Sequence, residues 1–361
     1  MTETLERAAT ADEPVTLDEQ AVVAFAEKVG VDQAITYGVA MAYVGDRLGL
    51  WAALAEAGPV TSDELAERTG FAERYLREWL ASQAAAGYLD HAEGRFTLTP
   101  ERAAVLAVPG SPASVAGGFE LAATVWAVTP LLADAFRTGR GISWAEQDAR
   151  LAGAVDRVFH PNYLTYLVAE WLPALDGVVA KLRAGARVLD VGAGLGTATL
   201  MIADAFPQAV VHGVDPLEES VREATARAGG RATFTVGTAT DYPLDGWDVL
   251  FFFDALHDMG DPLGAARYAR RAVAEDGTVV FVEPAAADRL EDNLHPIGLA
   301  YYATSTALCV PGALSQADDH AHVLGNQAGV ARIAEVLTQA GFSRVREAAR
   351  TPFHVVIEAR P

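Results

Sequence analysis

The chain has 361 residues, 51% of them apolar, and carries 27 Lys plus Arg against 48 Asp plus Glu, for a formal charge of −21. That length and composition suggest two globular domains and exclude a disordered or fibrous protein. The acid excess argues against nucleic acid and anionic membranes as partners, because neutralising phosphate takes clustered Lys and Arg, and it suits a cationic ligand.

The opening stretch MTETLERAATADEP lacks the basic-then-apolar order of a signal peptide. No run approaches the roughly 18 unbroken apolar residues of a membrane helix. The single cysteine, Cys309, leaves no internal disulfide and no cysteine-based zinc cluster, and is expected to be a small buried apolar residue. A cytoplasmic location is the expectation.

From Val22 to about Gly58 apolar residues recur at helical spacing, until Gly58-Pro59 ends the run. Thr61 followed by Asp63 and Glu64 predicts a capped short helix that stops at Gly70, and residues 72–87 predict a second amphipathic helix. Tyr88 to Thr99, with a turn at Glu93-Gly94, reads as a small hairpin. Helix, turn, helix and hairpin in this order make a winged-helix module, assigned to residues 1–104. Residues 105–180 read as a helical connector. Beyond it, β-branched runs starting at Arg187, Ala209, Ala232, Trp247 and Gly277 alternate with helical stretches, the pattern of a parallel sheet covered on both faces. The fold class is therefore α/β, with a doubly wound Rossmann-like domain over 181–361 behind a mainly helical winged-helix domain.

The first of these strands runs into Asp190-Val191-Gly192-Ala193-Gly194-Leu195-Gly196-Thr197 and then a helix. Glycines there permit a tight turn and let a ligand lie against bare backbone near a helix N-terminus. The spacing is D-x-G-x-G-x-G and departs from the G-x-G-x-x-G of dinucleotide sites, because Thr197 stands where the third glycine would. Asp215 ends the second strand, where an acid can take both hydroxyls of a ribose. A nucleoside ligand follows from this combination.

VLDVGAGLGTATL, HGVDPLEES and FFFDALHDMGDP resemble the nucleotide-binding motifs of the class I S-adenosylmethionine-dependent methyltransferases. The winged-helix module narrows the resemblance to the branch of plant-type and actinobacterial small-molecule O-methyltransferases. It implies S-adenosylmethionine as cofactor, with Asp190, Gly192, Gly194 and Gly196 around its methionine part and Asp215 and Pro216 at the ribose. Phe253 and Asp254 would pass beneath the sulfonium. Many relatives bind the adenine amine with an acid after the third strand, where this chain has Gly237-Thr238-Ala239, leaving Thr238 and Ala239 to serve. It further implies a two-fold dimer through the N-terminal module, a connector that covers the active site, and a place in secondary metabolism.

His257-Asp258 sits just past the fourth strand, where open α/β sheets bind ligands. It resembles the H-D-W-x-D stretch that holds the general base in the plant-type enzymes, with Met259 in place of the tryptophan. A neutral imidazole there can take a proton from a phenol, although Asp261-Pro262 also fits a plain helix start. Glu283, ending the fifth strand, either orients that base or is a solvated loop acid. The insertion over 288–316 offers Tyr301, Tyr302, Thr304 and Ser305 as acceptor contacts or as packing, with His295 beside them, and the helix around Phe159 offers Tyr163 and Tyr166.

Two alternatives to O-methylation stand. His257, Asp258 and His295 form a possible metal set for a C-methyltransferase of an α-keto acid, although no metal is expected. The winged helix could serve a transcriptional regulator with a degenerate methyltransferase domain. Residues 1–100 hold seven Lys or Arg against seventeen acids, which removes the electrostatic drive for entering a DNA groove.

Overall fold

A computed structural model describes residues 17–108, 110–317 and 322–361. It divides after Ala103 into two compact units. The connector expected over 105–180 belongs to the second of them.

The first unit opens with α1 (Glu19–Arg47), whose N-terminal amides at Gln20 and Ala21 donate to the Asp18 carboxylate. A left-handed Gly49 separates it from α2 (Leu50–Ala57). α3 (Ser62–Thr69) begins on a full capping box between Thr61 and Glu64 and stops at left-handed Gly70, as the sequence predicts. α4 (Glu73–Ala85) and the hairpin β1 (Asp90–Ala92) and β2 (Arg95–Thr97) complete the winged-helix order. Gly45 is required by the packing: a Cβ there would lie 2.3 Å from the Trp79 ring, which also meets Trp51 at 4.9 Å. In α1 only Ala42 and Gly45 are buried, while Val22, Val23, Phe25, Val31, Ile35 and Tyr37 are each half exposed or more.

The second unit is built on a seven-stranded sheet of order β5-β4-β3-β6-β7-β9-β8. β3 (Arg187–Val191), β4 (Val210–Asp215), β5 (Thr233–Val236), β6 (Trp247–Phe253) and β7 (Val273–Pro284) are parallel. Alternation of side chains sorts them onto two cores. Leu189, Leu250, Phe252 and Phe281 face one, and Val188, Val249, Phe251 and Val280 the other. Each fully buried Phe stabilises the sheet by about 1.5–3 kcal/mol. β8 (Arg344–Arg350) and β9 (His354–Arg360) add an antiparallel pair that the sequence reading did not anticipate. Their presence makes the sheet mixed. Strand order reverses between β3 and β6, the switch point where such sheets bind ligands.

Two helices in this unit contain π-helical stretches, Tyr163–Trp171 and Ser305–Cys309. The second lies within Pro296–Leu314, the one described helix long and apolar enough to span a bilayer; its Ala307, Leu308 and Cys309 pack in a core with Leu151.

Candidate active site

At the switch point the glycine loop forms one wall of a cleft of about 250 Å³. Gly192, Gly194 and Gly196 all adopt positive φ, and a side chain on Gly196 would meet the Phe234 ring at 2.7 Å. Asp215 pins the loop, accepting the Gly194 amide at 2.9 Å and the Leu217 amide at 3.0 Å. Burial outweighs these two bonds and raises its pKa. Asp190 accepts from Thr199 at 2.5 Å on one oxygen, leaves the other buried and unpaired among the described residues, and is pushed by burial up to about 7. Pro216, Thr238, Ala239, Phe253 and Asp254 also line the cleft, as do Asp190, Gly192, Gly194 and Asp215, while Gly196, expected with them, is outside the lining.

A buried chain of acid-base groups lies behind the cleft. His257 sits in a 3-10 turn, Leu256–Asp258, and its Nδ1 meets Glu283 Oε2 at 2.5 Å. The other Glu283 oxygen accepts the Leu256 amide at 2.9 Å, so Glu283 is a buried partner of the histidine and not a solvated loop acid. His257 Nε2 faces Asp258 at 3.3 Å, and the Cys309 thiol bonds to both. Burial opposes charge on the imidazole, but the Asp258 and Glu283 carboxylates prevail and hold His257 well above the ordinary histidine value. Burial likewise raises Asp258. Asp258 lines the cleft and His257 does not. Asp261 does cap the following helix by accepting the Gly264 amide.

Of the seven residues offered at the acceptor, Tyr163 alone lines the cleft, donating its hydroxyl to Asp254 at 2.9 Å. Tyr166 instead stacks on Trp171, Ser305 accepts the Asn326 amide, and Tyr302 is outside the cleft lining. Tyr301 donates to the Phe353 carbonyl. His295 caps Pro296–Thr304 by accepting the Gly298 amide, which leaves the expected His257, Asp258 and His295 set unassembled. Among the described residues the three donors that do converge are His257, Asp258 and Cys309, within 4.8 Å of one another. Cys309 is buried as expected, yet its thiol is pushed up to about 12 by burial beside this acid-base chain.

Sequence reasoning missed Asp156, which lines the cleft and takes the Thr197 hydroxyl and the Arg227 guanidinium, tying Leu151–Asn162 to the glycine loop. It also missed His354, whose Nε2 is 3.1 Å from Asp254. No motif marks either, because both partners are distant in sequence.

A model described as an Rv2258c-like winged HTH domain matches residues 37–108, and a model described as a methyltransferase domain matches residues 163–345. The chain is 27% identical over 224 residues to the mitomycin biosynthesis 6-O-methyltransferase of Streptomyces lavendulae, covering 58% of this chain and 62% of the relative. It is 31% identical over 145 residues to the 27-O-demethylrifamycin SV methyltransferase of Amycolatopsis mediterranei (strain S699), covering 38% and 48%. The chain thus spans less than two thirds of the length of these relatives. Among solved structures, mitomycin 7-O-methyltransferase MmcR has a TM-score of 0.68 at 22% identity, over 95% of this chain and 100% of that one. Human N-acetylserotonin methyltransferase in complex with SAM has 0.68 at 19%, over 96% and 99%. At these identities the likeness is one of fold. The methyltransferase-domain model covers just over half of the chain and includes the glycine loop, Asp215 and the His257 turn, and the chain belongs to that family.

Proposed function

We propose that the chain is an S-adenosylmethionine-dependent methyltransferase that methylates a hydroxyl of a small acceptor, with His257 as the general base. The Glu283, His257 and Asp258 chain beside a glycine-loop cleft carries this reading. The donor set fits the cofactor: Asp215 ends β4, where an acid can take a ribose, the glycines leave bare backbone, and among the described residues Asp190 and Asp254 each keep a buried carboxylate oxygen unpaired, which suits a cationic ligand. When bound, S-adenosylmethionine supplies a methyl group on an already activated sulfur leaving group. The protein then has to align the acceptor, exclude water and take a proton. Glu283 accepts a hydrogen bond from Nδ1–H, which fixes the tautomer and leaves Nε2 to receive the acceptor's proton alongside Asp258.

The O- over C-methylation preference is supported by charge. The cleft is lined by Asp156, Asp190, Asp215, Asp254 and Asp258 and, among the described residues, by no Lys, Arg or His to hold an α-keto acid. Incubation with methyl-deuterated cofactor and a panel of phenols, alcohols and keto acids should label phenol or alcohol oxygens. Label found only on the carbon of keto acids would reject the assignment. The relative named for mitomycin biosynthesis fits a role in secondary metabolism.

A homodimer through the N-terminal module accounts for the exposed apolar face of α1, too large for a lone surface layer. Light scattering at micromolar concentration should return twice the chain mass, and a monomer mass would remove the dimer. The would-be recognition helix α4 pairs Arg74 with Glu78 at 2.6 Å and Arg77 with Glu73 at 2.8 Å, which supports assembly over DNA binding. A free buried thiol suits the cytoplasm.

A further inference from the structure

His257 and Asp258 share the Leu256–Asp258 turn behind β6, and Cys309 closes the π-helical stretch Ser305–Cys309. The turn is fixed from two sides: the Gly325 amide donates to the His257 carbonyl at 3.2 Å, and Gln316, just past the helix that carries Cys309, donates from Nε2 to the Asp258 carbonyl at 3.2 Å. Ligand atoms of His257, Asp258 and Cys309 lie within 4.8 Å of one another, with His257 4% and Cys309 7% exposed.

The hydrogen bond from Nδ1–H to Glu283 leaves Nε2 with a bare lone pair, which faces Asp258 Oδ1 at 3.3 Å. Two buried acceptors at this distance repel unless a cation stands between them. One such cation is the proton of the general-base step. A metal ion is another. Tetrahedral zinc, with bonds of about 2.0–2.3 Å, sets its ligand atoms roughly 3.3–3.8 Å apart, and Nε2 and Oδ1 already have that spacing. Imidazole, carboxylate and thiolate together suit zinc or cobalt and not magnesium or calcium, which take oxygen ligands. The Glu283 carboxylate on Nδ1–H is the partner that a metal-bound histidine has as a rule.

We propose that His257, Asp258 and Cys309 form a binding site for a thiophilic divalent cation of the zinc class, and that its occupation switches methyl transfer off. Binding takes the sulfur as thiolate, and the thiol proton leaves to solvent. The ion enters from the cleft, which Asp258 lines. Once bound, it holds the Nε2 lone pair that otherwise receives the acceptor's proton. The inhibition rests on the general-base reading above; the site does not.

Cobalt chloride and zinc chloride, added to the chelator-treated full chain, test it. One cobalt per chain should bind with a near-ultraviolet thiolate-to-cobalt charge-transfer band, and zinc should displace it. Cys309→Ser should abolish the band and weaken zinc at least about 100-fold, because loss of even a hydrogen-bond partner behind a metal ligand costs about 10- to 100-fold. Asp258→Asn should weaken zinc at least about tenfold. His295→Asn, which keeps a helix-capping side chain, should leave zinc affinity within about twofold. Turnover of an acceptor labelled in the panel above should fall at least about tenfold at one zinc per chain and return with a chelator, as expected for a blocked general base. A band that survives Cys309→Ser, unchanged zinc affinity in Cys309→Ser and Asp258→Asn, no cobalt uptake by the parent protein, or undiminished turnover with zinc bound would overturn the proposal. If no acceptor is labelled, the hydroxyl-transfer reading fails and takes the inhibition with it, while the cobalt spectrum still decides the site.

Discussion

Replacing His257 with alanine is expected to cut turnover at least about a hundredfold while changing S-adenosylhomocysteine affinity less than about twofold, the size of a lost general base that does not touch the cofactor. The histidine is outside the lining of the cofactor cleft, so its removal leaves the ribose and glycine contacts intact. The sign of the pH dependence follows from its surroundings. Asp258 and Glu283 overcome burial and favour the imidazolium, which raises the proton affinity of His257 above the ordinary value of 6.5. Only the neutral ring accepts a proton, so the acid limb of the rate profile should lie on the alkaline side of 6.5. Asp258→Asn removes one of the attracting charges and should move that limb to lower pH. The same shift makes the charged histidine stabilising in acid: its contribution is complete below about 6.5 and is lost as pH rises through the folded-state value. Stopped-time assays across pH on the three proteins check the argument, and normal turnover in His257→Ala would end it.

Asp215→Ala should weaken S-adenosylhomocysteine and 5′-methylthioadenosine together, each by at least about a hundredfold. The carboxylate offers two charge-assisted hydrogen bonds to a ribose, each worth about 1.5–3 kcal/mol, and both probes carry that ribose. It also holds the Gly194 and Leu217 amides, so its loss frees the loop that the cofactor lies against. Calorimetry with both probes measures the effect. A loss confined to one probe, or affinity within about threefold of the parent for both, would show that Asp215 does not serve the ribose.

The parts of the site that sequence reveals are those written in one continuous stretch. β3, the glycine loop and its helix are consecutive, and an apolar run followed by D-x-G-x-G-x-G states its own geometry. His257 and Asp258 were legible because strand ends carry ligands, and the capping box at Thr61 because its reach is three residues. What was hidden depends on closure of the chain. Asp254 and His354 lie 100 residues apart and meet because β9 returns antiparallel to β7, pairing His354 with Pro284. The partner strand β8, Arg-Val-Arg-Glu-Ala-Ala-Arg, is mostly exposed at the sheet edge and shows no apolar run to betray it. Acceptor residues chosen by type from an insertion fared worst, because Tyr166, His295 and Ser305 found nearer partners within their own helices or across to the neighbouring segment.

The two π-helical stretches begin or end on residues that touch the site, Tyr163 against Asp254 and Cys309 against His257. A π turn is an α-helix carrying one residue too many, and loss of any single residue from it returns the helix to ordinary winding. The widened turn absorbs the extra residue, so the helix on either side keeps its facing, whereas one residue lost from a regular α-helix turns everything beyond it by about 100°. In most helices the loss of one codon ruins the packing. In these two it exchanges one regular winding for another while swinging Tyr163 or Cys309 away from its partner, which gives this scaffold a one-step route to a differently shaped site.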